Sequence, residues 1–124
     1  MRTMESREDY LESLLVLSRQ NGSVRSIDVA AYMNFTKASV SRAISLLKNE
    51  KLVRMDDKTG ALTLTDAGLA AAEHVYERHL LLTEFLVRLG VPREVAVQDA
   101  CRMEHVISND TFSVMKAHLS DAGH

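Results

Sequence analysis

The apolar residues of this 124-residue chain change their period twice, and those two changes limit its architecture more than any single residue does. Tyr10, Leu11, Leu14, Leu15 and Leu17 recur at three- and four-residue spacing. They form one face of a helix that Ser6 caps, with Asp9 at its third position, and that Asn21-Gly22 ends. A short second helix is expected over Ile27–Met33, capped by Ser26 and burying Ile27, Ala30 and Ala31. Asn34 and Phe35 make a tight turn. Thr36 then caps a third helix running to about Glu50, with Val40, Ala43, Ile44 and Leu47 inward. At Leu52 the period drops to two. Leu52–Met55 and Ala61–Leu64 read as short strands joined by the polar loop Asp56-Asp57-Lys58-Thr59-Gly60. Thr65 restores the helical period, capping a long fourth helix through Ala67, Ala70, Ala71, Val75 and Leu82 to Leu89. Gly90 closes it, and Pro92 takes the first position of a fifth helix that runs to about Ile107. A last helix starts at Ser108 or Asn109 and ends near Leu119.

Helix, helix–turn–helix and two-stranded hairpin is the winged helix-turn-helix order. The chain is therefore read as mainly α, with a winged helix-turn-helix over residues 1–66 and a helical lobe over residues 67–124. No apolar run approaches the roughly 18 residues of a membrane span. Met1–Glu8 is polar and carries both charges, so no signal peptide is expected. The single cysteine, Cys101, excludes an internal disulfide and suits a reducing, cytoplasmic setting.

A net charge of −2 argues against a nucleic-acid binder until its distribution is considered. Residues 1–64 hold ten Lys/Arg and eight Asp/Glu, a balance of +2, whereas residues 65–124 hold five and nine, a balance of −4. In a winged fold the third helix enters the major groove. Its first turns expose Thr36, Lys37, Ser39, Ser41 and Arg42, the hydroxyls and cations that phosphate and base-edge contacts require. Lys58 adds a cation in the wing loop, beside Asp56 and Asp57, which would repel phosphate unless they point away. This hydroxyl-rich face has no packing purpose, which favours double-stranded DNA over a protein partner.

A second constellation carries metal chemistry. Cys101, Glu104 and His105 stand at i, i+3 and i+4 on the expected fifth helix, which gathers a thiol, a carboxylate and an imidazole on one face. Asp9 and Glu12 form an i, i+3 carboxylate pair on the first helix, and His79 lies on the fourth.

Over residues 6–119 the chain resembles the metal-dependent repressors typified by the diphtheria toxin repressor and the manganese transport regulator. The segments that carry the resemblance are Glu8–Glu12, Ser39-Val40-Ser41, Leu62–Gly68, Arg78-His79 and Ala100–Ser108. The resemblance implies metal ligation by Asp9, Glu12, His79, Glu104 and His105, as in the manganese branch, which has glutamate in place of Cys101. The iron branch has cysteine at that position but methionine in place of Asp9, so this chain is a hybrid. The iron branch's ancillary site looks absent, because its ligand positions fall on Thr83 and Val97.

The expected function is thus a metal-dependent repressor of metal-uptake genes that responds to Fe(II) or Mn(II), with Co(II), Ni(II) or Zn(II) as in vitro substitutes. It binds a DNA operator as a homodimer built from the C-terminal metal-binding and dimerisation lobe, where Val95, Val106, Phe112, Val114 and Met115 exceed one small core's needs. The implied site draws ligands from both lobes, so a bound cation would cancel carboxylate repulsion and set the spacing of the recognition helices. Three other readings are weaker. A metalloenzyme would need an open coordination position and a separate acid or base, and His74 and His118 lie elsewhere on the helical pattern. A storage or adaptor protein leaves the third helix unexplained. The alternative kept is a winged-helix regulator whose six candidate ligands are structural and whose DNA binding ignores metal.

Overall fold

The computed structural model describes the backbone of residues 4–122 and the side chains of residues 7–120. Its described residues form α1 (Met4–Asn21), α2 (Ser26–Met33), α3 (Lys37–Asn49), β1 (Val53–Met55), β2 (Leu62–Leu64), α4 (Asp66–Leu89), α5 (Arg93–Met103) and α6 (Asn109–Ala122). Two compact units result, Met1–His74 and Val75–His124, and the division falls within α4. None of the described helices is long and apolar enough to cross a membrane.

The first unit follows the expected winged order. Tyr10, Leu11, Leu14, Leu15 and Leu17 of α1 are all buried, and α1 packs against α2, α3 and β2. The helix already includes Ser6, whose expected capping side chain lies outside the described ones. Thr36 caps α3 by accepting from Ser39 N at 3.1 Å, and Val40, Ala43, Ile44 and Leu47 are its buried residues, as read from the sequence. On α2 the buried face is rotated from the expected one. Val29 and Ala30 are buried, whereas Ile27 and Ala31 are exposed. Arg25 takes the N-cap position in place of Ser26, with Asp28 accepting from the Arg25 backbone N–H at 2.9 Å.

The wing is an antiparallel pair in the register Val53↔Leu64 and Met55↔Leu62, widened by an isolated bridge from Val24 to Leu62. Asp56 builds its turn, its Oδ1 accepting from Lys58 N at 2.8 Å and Thr59 N at 3.1 Å. Those backbone donors hold its carboxyl below the usual range. The carboxylate is thus engaged by the loop's own backbone.

Thr65 ties the wing to α4, donating to Lys51 O at 2.8 Å and accepting from Gly68 N at 3.0 Å. A Cβ on Gly68 would stand 2.0 Å from the Leu52 carbonyl oxygen, a backbone atom that cannot swing aside. Gly68→Ala is therefore expected to destabilise the protein by about 2 kcal/mol, read from the urea midpoint. An unchanged midpoint would show that the wing can shift away from α4.

In the second unit the buried residues are Val75, Arg78, Leu82 and Thr83 of α4, Ala96 and Ala100 of α5 and Phe112 of α6. Pro92 occupies the N-cap of α5 and not its first helical position. The helix also stops four residues before the expected Ile107. Arg78 Nη1 donates to the carbonyls of Glu104 at 3.1 Å and Ile107 at 3.0 Å. Ser108 then accepts from Thr111 N at 3.1 Å and caps α6. Phe112 is 7% exposed, so it belongs to the core and not to the free apolar surface assigned to it from the sequence. Val106 and Val114, at 75% and 70% exposed, are that surface, with Val95 beside them in kind and Met115 half-buried.

Candidate functional site

Glu104 is the centre of a group of side chains in the second unit that could hold a metal ion. It follows the last residue of α5 with φ −59° and ψ −23°, so the turn beyond the helix keeps helical geometry. The i, i+3, i+4 spacing therefore survives the end of the helix, and donor atoms of Cys101, Glu104 and His105 lie within 4.8 Å of one another. The Glu104 side chain is 0% exposed and that of His105 2%, with His105 Nε2 at 3.6 Å from Glu104 Oε1. From α4, His79 brings its Nδ1 to 3.7 Å from Glu104 Oε2, with its side chain 19% exposed. Both separations exceed hydrogen-bond length. Donors bound to one ion at about 2.0–2.3 Å stand roughly 3–4 Å apart, the range found here.

His79 supplies the test of fit. Its Nδ1 is buried and makes no hydrogen bond among the described residues. Burial, and then the charge of nearby His105, push its pKa below the usual histidine value, which keeps the ring neutral with a lone pair to give. Neutral imidazole, carboxylate and thiol together make a divalent-metal donor set. Cys101 is exposed. Thr83 donates its hydroxyl to His79 O at 2.8 Å, and Val97 is exposed.

Asp9 and Glu12 belong to the first unit, one turn apart on α1 and both half-buried. The other residues singled out there stand on α3 and the wing. Lys37, Ser41, Arg42 and Lys58 are exposed. Thr36 and Ser39 serve the α3 N-terminus as well, the Thr36 hydroxyl donating to Ser39 Oγ at 3.0 Å. Sequence reasoning passed over Arg78 as a site residue. The signal available was only a charge on the inner face of an amphipathic helix.

Two family models match the chain, one for each part of it. The N-terminal DNA binding domain of iron dependent repressors matches residues 2–61, and the metal binding and dimerisation domain of the same repressors matches residues 65–124. The chain belongs to the iron-dependent repressor family. That is a family of transcriptional regulators and not of enzymes. The transcriptional regulator MntR of Escherichia coli O6:H1 is 33% identical over 116 residues, covering 94% of this chain and 74% of its own. A manganese-dependent transcriptional repressor solved with manganese is 30% identical with a TM-score of 0.80, over 92% of this chain and 52% of that one. The metal-dependent transcriptional regulator MtsR superposes with a TM-score of 0.85 at 26% identity, over 92% of this chain and 53% of its own. The chain thus spans about half the length of these solved regulators. A winged helix-turn-helix followed by a helical metal-binding and dimerisation domain is its fold.

Proposed function

We propose that the protein is a cytoplasmic, metal-dependent transcriptional repressor that responds to Fe(II) or Mn(II), binds operator DNA as a homodimer and controls metal-uptake genes. The observation that carries this reading is the buried Glu104 carboxylate among His79, Cys101 and His105, inside the segment matched by the family's metal-binding domain. Residues 1–66 bind DNA in this reading, and residues 67–124 bind metal and dimerise through exposed apolar residues such as Val95, Val106 and Val114. Asp9 and Glu12 complete the ligand set. Their support is the i, i+3 carboxylate spacing on α1 and the resemblance to the manganese branch.

The cation supplies positive charge that offsets the carboxylates. The chain's residues do the rest. His79 and His105 offer ring nitrogens, Glu104 a carboxylate held out of water, and Cys101 a thiol open to solvent. Metal and operator affinities are then linked reciprocally, by about 1–3 kcal/mol. The test is an operator-binding titration against Mn(II), Fe(II), Co(II), Ni(II) and Zn(II) under anaerobic, reducing conditions. Operator affinity that ignores every metal would replace this reading with a metal-independent regulator.

Thr36, Lys37, Ser39, Ser41 and Arg42 on α3, with Lys58 on the wing, are the proposed DNA contacts. Arg42→Ala is expected to weaken operator binding about tenfold. Lys37→Ala is expected to lower the slope of log affinity against log salt by about 0.9. Neither should change metal affinity measured without DNA. Wild-type operator affinity in Arg42→Ala together with a wild-type slope in Lys37→Ala would move the DNA surface elsewhere.

A further inference from the structure

Arg78 is buried, and the ligand set proposed above makes no use of it. Its guanidinium meets three acceptors at once: the carbonyls of Glu104 and Ile107 through Nη1, and Asn109 Oδ1 through Nη2. The same group lies over the Phe112 ring, 5.3 Å from its centroid. Each of those acceptors is neutral. The charge sits where α5 ends, against the negative end of its helix dipole. The turn does not need this arginine merely to form. Val106 N and Ile107 N already donate to Met103 O at 3.1 and 3.2 Å, and Ser108 caps α6 independently. What the guanidinium adds is location, because it fixes the Glu104–Ile107 turn and the first residue of α6 to α4. Its next neighbour along α4 is His79.

We propose that Arg78 is a positioning residue for the metal centre, holding Glu104 and His105 in register with His79. The proposal rests on the reading that these three residues are ligands. One short piece of α4 then carries both a ligand and the clamp for two others. Loosening the clamp frees Glu104 and His105 while His79 stays in place, so the donor atoms lose their common focus. A lysine keeps the charge and much of the stem but not the planar fork that reaches three acceptors together.

The experiment is a Co(II) titration of wild type, Arg78→Lys and Asn109→Ala, followed by visible absorption, with helix content checked by circular dichroism. Arg78→Lys is expected to bind Co(II) about 10–100-fold more weakly, the usual cost of losing a residue that orients ligands. Its absorption bands should differ in intensity from wild type at saturation. Asn109→Ala should shift affinity the same way by a smaller factor. Wild-type affinity and band shape in a folded Arg78→Lys overturn the proposal, whatever happens to its melting temperature. Should Arg78→Lys not fold, unchanged affinity and bands in Asn109→Ala, an exposed position, overturn it instead. Failure of the wild type to bind Co(II) at all overturns the metal-centre reading itself, and the clamp with it.

Discussion

Glu104→Gln is expected to yield a folded protein that no longer answers to metal. The side chain is wholly buried, so a glutamine of nearly equal volume leaves no cavity, whereas alanine would add a packing loss to the lost ligand. Losing a residue that only orients ligands already costs about 10–100-fold in metal affinity, so losing the central carboxylate's charge should cost about 100-fold or more. The metal-free melting temperature is the control readout, because a value near wild type shows that a fall in Mn(II) affinity reports the lost ligand and not a lost fold. Metal-stimulated operator binding should vanish in the same variant. Glu77→Gln serves as the control, since Glu77 pairs with Lys116 on the surface of the same unit. Wild-type Mn(II) affinity in Glu104→Gln would remove Glu104 from the metal centre.

Several elements were legible because local sequence and tertiary packing agree. The buried set of α3, Val40, Ala43, Ile44 and Leu47, occupies a single stripe, and Thr36 marks the start. Each wing strand starts one residue later than expected, at Val53 and at Leu62. On α2 the pattern could not choose a face. Ile27, Val29, Ala30, Ala31, Tyr32 and Met33 crowd a two-turn helix, so periodicity alone allows several buried faces. The neighbours on α1 and α3 decide in favour of Val29 and Ala30.

The end of α5 was hidden for a different reason. Every residue from Cys101 to Ile107 is compatible with helix, and the turn after Met103 keeps helical angles at Glu104. The carbonyl of Glu104 beyond the last regular turn is taken by Arg78, a side chain 26 residues upstream, whereas Ser108 caps α6 locally. No local pattern encodes the first of these contacts. The metal-ligand spacing remained readable all the same, because a helical turn and a helix place i, i+3 and i+4 alike. Phe112 was misplaced through the same blindness. Its apolar character is visible in the sequence, but the cation that covers it comes from α4.

Cys101→Glu is expected to turn the protein from softer ions towards Mn(II). The thiol is exposed, with Sγ within 4.8 Å of donor atoms on Glu104 and His105, so a longer carboxylate there displaces no core residue. Thiolate favours Fe(II), Co(II), Ni(II) and Zn(II), whereas carboxylate suits Mn(II), and the substitution completes the ligand set of the manganese branch. The ratio of Mn(II) to Co(II) affinity should rise about 100-fold, equivalent to about 2.7 kcal/mol. Reactivity gives an independent arm, because Cys101 is the chain's one cysteine. Iodoacetamide should silence metal binding by the wild type, bound metal should protect the thiol, and Cys101→Glu should be indifferent to the reagent. Equal Mn(II) and Co(II) selectivity in both proteins, with alkylated wild type still binding metal, would show that the thiol stands beside the centre without entering it.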